Sequence, residues 1–186
     1  MELSSKQIEQ FNKDGYIIFP ELFTSDEIDI FKNEVDRVSK IRSEMVVREG
    51  EDEAVKIMFQ LHEENVETAS PPFRTAARSP RILRTAQQCL GDEELDLHHS
   101  KLNMKSAIEG SAWPWHQDFH SWHLDGIKQP DMVTVTVVLT EASPINGCMY
   151  VLPGSHKQGR SDPRWDDSTA YKLWVARTPD MKEYMK

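Results

Sequence analysis

The stretch WPWHQDFHSWHLDG, Trp113–Gly126, and the run MVTVTVVLT that follows it, Met132–Thr140, decide how this chain is read. Three of the seven histidines fall in the first stretch, together with Asp118 and Asp125. On a helix His116 and His120 would share a face; on a strand His116 and Asp118, two apart, project from the same side. Pro114 ahead and Gly126 behind disfavour a long helix, so the extended reading is adopted. The second stretch is β-branched almost throughout, and GCMYVLP, Gly147–Pro153, reads as a further strand. LDLHHSKLNMKSA, Leu95–Ala107, alternates along its length. Short strands separated by Gly, Pro, Asn and Asp predict an antiparallel sandwich or barrel over the second half.

The first half has a different pattern. Ser4 with Gln7 forms a capping box, Ile8 and Phe11 supply an inner face, and Gly15 is the stop. YIIFP, Tyr16–Pro20, reads as a short buried strand. Thr24 with Glu27 opens a longer helix whose Ile28, Phe31, Val35 and Val38 recur at helical spacing. EGEDEA reads as a solvated loop and VKIMFQ as a strand. Ser79-Pro80 starts a further helix that ends at Gly91. Helices first and strands later make the class α+β, with residues 1–186 as a single domain around one core. The net charge of -9 argues against nucleic acid or an anionic membrane as partner. No apolar run approaches a membrane span. Cys89 and Cys148 sit apart in apolar segments, as expected of reduced thiols in a cytoplasmic protein.

One imidazole and one carboxylate aimed at one ion begin a two-His-one-carboxylate triad, whose open positions admit small molecules on Fe(II). His-x-Asp alone is common by chance. A zinc set of His116, His120 and His123 competes with it, without the glutamate of a His-Glu-x-x-His motif. A plain loop lined by histidines is the third reading. The surroundings decide among them. HSKLN precedes the His-x-Asp, WHQDF is followed by WH, and NG and PGSHK come later; DGYIIFPELFTSDEI and FQLHEE lie upstream. In combination these resemble the phytanoyl-CoA dioxygenase superfamily of Fe(II)/2-oxoglutarate oxygenases, the ectoine hydroxylase-like enzymes in particular.

That resemblance implies a double-stranded β-helix (a cupin-like jelly roll) with the N-terminal helices packed on it. It implies His116 and Asp118 as iron ligands, with 2-oxoglutarate and O2 as cosubstrates. Asn103 and Trp113 align with residues beside 2-oxoglutarate, and Trp122 with an aromatic that packs on the substrate. His99 stands where ectoine enzymes carry a substrate-contacting glutamine, which keeps a small polar substrate but puts ectoine itself in question. A carboxylate at position 118 favours hydroxylation, or another oxidation such as desaturation, over halogenation. His156, in PGSH, is expected to be structural. The family's third iron ligand and its 2-oxoglutarate-binding arginine are expected beyond Lys186, as are the strands that close the jelly roll. The 186-residue chain alone is therefore expected to be inactive. The rival expectation is a non-catalytic jelly-roll binding protein, or an inactive short form, that lacks the third ligand. Oligomeric state is left open.

Overall fold

Two capping boxes fix where the first helices begin. In the computed structural model, which describes residues 1–108 and 110–185, Ser4 and Gln7 exchange side-chain-to-backbone bonds at the start of α1 (Ser5–Asp14). Thr24 and Glu27 do the same for α2 (Ser25–Val38). Each box satisfies amides that the first helical turn leaves without carbonyl partners. Gly15 ends α1 at φ 83°, and its N–H returns to the Phe11 carbonyl at 2.7 Å. A side chain there would also collide with the ring of His156, whose Nε2–H donates to the Asn12 carbonyl at 3.1 Å. His156 lies in a 3-10 turn (Ser155–Gln158), so it is structural and ties the C-terminal third to α1.

The inner face of α2, Phe31, Val35 and Val38, is buried as its spacing requires. Val35 and Val38 pack with Val46, Met58 and Leu61. Val46 and Met58 belong to an antiparallel sheet of β1 (Val46–Glu49), β2 (Ala54–Phe59) and β3 (Lys101–Asn103), in that order. Met58 sits opposite both Val46 and Leu102, so these three form the face toward α2. Ile57 and Phe59, paired with Asn103 and Lys101, point to the other face. Between β1 and β2 the register moves from Val47↔Ile57 to Arg48↔Val55, leaving Lys56 as the extra residue of a β-bulge. Helices α3 (Pro71–Ala77) and α4 (Pro80–Leu90) each follow a Ser-Pro step. Ser79 holds the expected N-cap position, but its hydroxyl makes no capping bond.

Several expected strands do not form. Tyr16–Phe19 joins no ladder, and Ile18 is exposed. Leu95–Ala107 contributes only the three residues of β3. Residues 131–139 and 148–152 join no ladder, with Val135, Val138, Met149, Tyr150 and Val151 exposed and Leu139 alone reaching the core. Residues 133–152 contribute no fully buried side chain. The physical reason is that β-branching suits a residue to a pleat, whereas a strand exists only where a neighbour accepts its hydrogen bonds. Instead the second half contains α5 (Asp118–Leu124), a hairpin of β4 (Arg164–Asp166) and β5 (Leu173–Val175), and α6 (Thr178–Tyr184). The α+β class holds. None of the helices is long and apolar enough to cross a membrane among the described residues.

Candidate metal centre and its pocket

His116 lies in residues 111–117, which join no ladder, and Asp118 is the first residue of α5. The strand expected to carry both does not form, and Gln117, at φ -109° and ψ 121°, is the N-cap of α5. The two side chains still meet. His116 Nε2 lies 3.3 Å from Asp118 Oδ1. The local reason is that the residue before a helix keeps extended geometry while N1 starts the turn, and a carboxylate there is favoured by the helix dipole. Gln117 is held in place by donating to the Gly159 carbonyl at 3.0 Å and accepting from the Ser161 amide at 2.8 Å.

The hydrogen bonds define which atoms face outward. His116 Nδ1–H donates to the Pro114 carbonyl at 2.7 Å, which fixes the tautomer and presents Nε2 to Asp118. Asp118 Oδ2 accepts from the Thr134 hydroxyl at 3.0 Å. With the ring bonded to the Asp118 carboxylate, the His116 pKa is raised above its usual value. The same bond holds Asp118 down at about 2 despite partial burial. An imidazole tied through Nδ1 to a carbonyl, with a carboxylate at Nε2, is the arrangement of a ligating histidine with its outer-shell partner. The two groups are 28% and 35% exposed, so the pair remains open to a ligand. The donor set fits two of the three ligands of an iron triad. No group of three His, Cys, Asp or Glu side chains converges among the described residues.

The pair borders a cavity of about 100 Å³. Trp113 and Trp122 form walls of it, as does Leu173 from β5. Trp122 stacks at a tilt on His99, with ring centroids 4.9 Å apart, and His99 in turn meets Phe59 at 5.7 Å. His99 Nε2 is buried without a partner. Burial, with Lys101 nearby, lowers its pKa to about 4, so its imidazole is neutral at neutral pH. Asn103 stands apart: it is exposed on β3, on the same face as Lys101, and does not line the cavity. His120 faces away, buried with its ring 5.4 Å from Trp174 and both nitrogens unpartnered. His123 Nδ1–H donates to the Ile127 carbonyl at 3.0 Å. Neither histidine lines the cavity.

Five residues of the cavity lining, Lys101, Ser121, Asp125, Tyr171 and Leu173, were not named as site residues from the sequence. Lys101 lines the cavity near His116 and Asp118. Its period-two spacing with Asn103 was visible, but only the β2–β3 pairing shows which face turns inward. Tyr171 comes from the connection between β4 and β5, 5.7 Å from Trp113 and from Phe59 by ring centroid. Burial, followed by the charges of Asp125 and Asp118, raises its pKa. No local motif announces it.

A His-x-Asp pair at an aromatic pocket is a geometry on which a metal site can be built. The chain belongs to the phytanoyl-CoA dioxygenase (PhyH) family, whose model matches residues 11–184. It is 33% identical over 161 residues to an ectoine dioxygenase of Nocardia farcinica, covering 84% of this chain and 52% of that protein. With an ectoine dioxygenase of Sphingopyxis alaskensis it shares 29% over 183 residues, 96% of this chain and 54% of the other. A crystal structure of EctD from S. alaskensis with 2-oxoglutarate and 5-hydroxyectoine superposes with a TM-score of 0.73 at 25% identity. That match covers 98% of this chain and 60% of the crystal chain. A second, of the same protein with bound Fe, has a TM-score of 0.57 at 29% identity, covering 65% and 42%. The chain thus spans about half the length of the curated relatives it matches.

Proposed function

We propose that the protein is an Fe(II)/2-oxoglutarate-dependent dioxygenase that hydroxylates an unactivated C–H bond of a small polar metabolite in the cytoplasm. Residues 1–186 would belong to a single domain of the double-stranded β-helix type, a reading supported by the likeness to EctD. The observation that carries the reading is the convergence of His116 Nε2 and Asp118 Oδ1 at 3.3 Å beside an aromatic cavity that also contains Lys101. Family membership and relatives named ectoine dioxygenase support it.

His116 and Asp118 would hold the metal. When bound, iron with 2-oxoglutarate and O2 supplies the oxidative chemistry that no side chain can perform. The chain's own contribution is placement. Pro114 fixes the imidazole tautomer and Thr134 holds the carboxylate, so neither ligand must reorganise. Trp113 walls the cavity beside the metal pair, where the cosubstrate would lie, whereas Asn103 lies outside that cavity on β3. Trp122, with neutral His99 packed against it, would face the substrate, which favours a polar molecule with an apolar ring or chain to lie against the indole. The aromatic walls also exclude water from the reacting carbon.

The test is Fe(II)-dependent conversion of 2-oxoglutarate to succinate by the complete gene product, with and without candidate small zwitterions. Turnover that disappears in His116→Ala and Asp118→Ala supports the proposal, and its absence in metal-loaded protein defeats it. One observation favours a non-catalytic binding module, namely that no third ligand joins the pair among the described residues. Failure of the complete protein to retain iron in dialysis selects that reading.

A further inference from the structure

We infer that Lys56 and Glu49 are positioning residues that hold residues 111–117, and through them Trp113 and His116, at the pocket. The use of that segment rests on the metal-site reading above; the anchoring itself does not. Lys56 is the extra residue of the bulge in β2, and a bulge re-aims the side chain it carries. Its side chain has no exposed surface, a costly place for an ammonium unless every proton finds an acceptor. Three acceptors are present. They are Glu49 Oε2 at 3.1 Å, the Ser111 carbonyl at 3.2 Å, and the Ser111 hydroxyl.

Glu49 completes the clamp. It accepts the Ser111 N–H at 3.0 Å and the Ser111 hydroxyl, so amide, carbonyl and side chain of one residue are all held by this pair. The Lys56 ammonium also lies 4.7 Å from the centre of the Trp113 ring, close enough to attract its face. Ser111 begins an unpaired segment that has no ladder of its own and carries His116 five residues on. The sheet therefore grips the segment at its start, while the Ala176 amide grips it at the Trp115 carbonyl, 2.7 Å away.

For stability alone, a buried ion pair is commonly no better than apolar residues of the same volume. The arrangement earns its place by specifying one conformation of a segment that would otherwise have several. Loss of the pair should then loosen residues 111–117 more than the fold.

Hydrogen exchange on this chain, metal-free, separates the two effects. Lys56→Met and Ser111→Ala are compared with the parent in peptides covering residues 111–117, with β1, β2 and α2 as internal references. The expected result is exchange about tenfold faster in residues 111–117 with less than about twofold change in the references. Unchanged exchange in residues 111–117, or an equal increase everywhere, overturns the inference. Should Lys56→Met fail to fold, Ser111→Ala, a one-atom change at a half-buried position, decides alone. No metal or 2-oxoglutarate enters the measurement, so local loosening in this chain together with no turnover by the complete, metal-loaded protein would defeat the oxygenase reading and leave the anchoring intact.

Discussion

Replacing His99 by glutamine should make the protein less sensitive to mild acid. In the folded chain the His99 pKa is held at about 4, against 6.5 for a free imidazole, because burial against Phe59 and Trp122 and the charge of Lys101 disfavour the cation. As pH falls, the unfolded chain therefore binds the proton first. Stability is lost between about pH 6.5 and pH 4 and is unaffected by this group above that window. The full separation corresponds to about 3 kcal/mol. The ring is only partly buried, and solvent screening reduces the effect to about 1–2 kcal/mol. The assay is urea unfolding of the parent and His99→Gln at a series of pH values from 7.5 to about 4.5. The parent should lose about 1–2 kcal/mol more than the variant across the series. Other titrating groups, His116 among them, are common to both proteins and cancel in the difference. Parallel pH profiles would refute the reasoning, as would a His99 ring proton titrating near 6.5 by NMR in the folded protein.

Three further outcomes are expected. Asp118→Asn keeps the size of the side chain but removes its charge; iron affinity of the complete protein should fall by more than the roughly 10–100-fold typical of outer-shell changes, measured by dialysis. Val38→Ala opens space in the fully buried contact between α2 and the sheet, and should cost about 2 kcal/mol in the urea midpoint. Gly15→Ala must adopt φ 83° and displace the His156 ring, so it should lower stability by at least about 1 kcal/mol. Adding His156→Ala should recover only part of that loss, since the backbone strain remains.

What could be read in advance divides along a physical line. Ser4 with Gln7 and Thr24 with Glu27 were legible because a capping box is closed within four residues. The meeting of His116 and Asp118 was also legible as proximity, although the strand expected to produce it is an extended lead-in followed by a helix. Alternation in Leu95–Ala107 and β-branching in Met132–Thr140 described residues fit for a sheet, and could not say whether a neighbouring strand lies alongside. The short elements β1, α3, β4 and β5 carry too few residues for a period to show. Lys56, Lys101 and Tyr171 reach the site through pairing and packing across 55 positions or more in the case of Lys56 and Ser111, which no local window contains.

The bond from His116 to the carbonyl of Pro114 has a consequence for protein engineering. The acceptor is main chain, so no point mutation of a neighbouring side chain can delete it. Libraries that randomise the cavity walls to change substrate preference should leave the imidazole in its present tautomer. Only an insertion or deletion in the short lead-in to α5, by moving the carbonyl itself, would put that at risk.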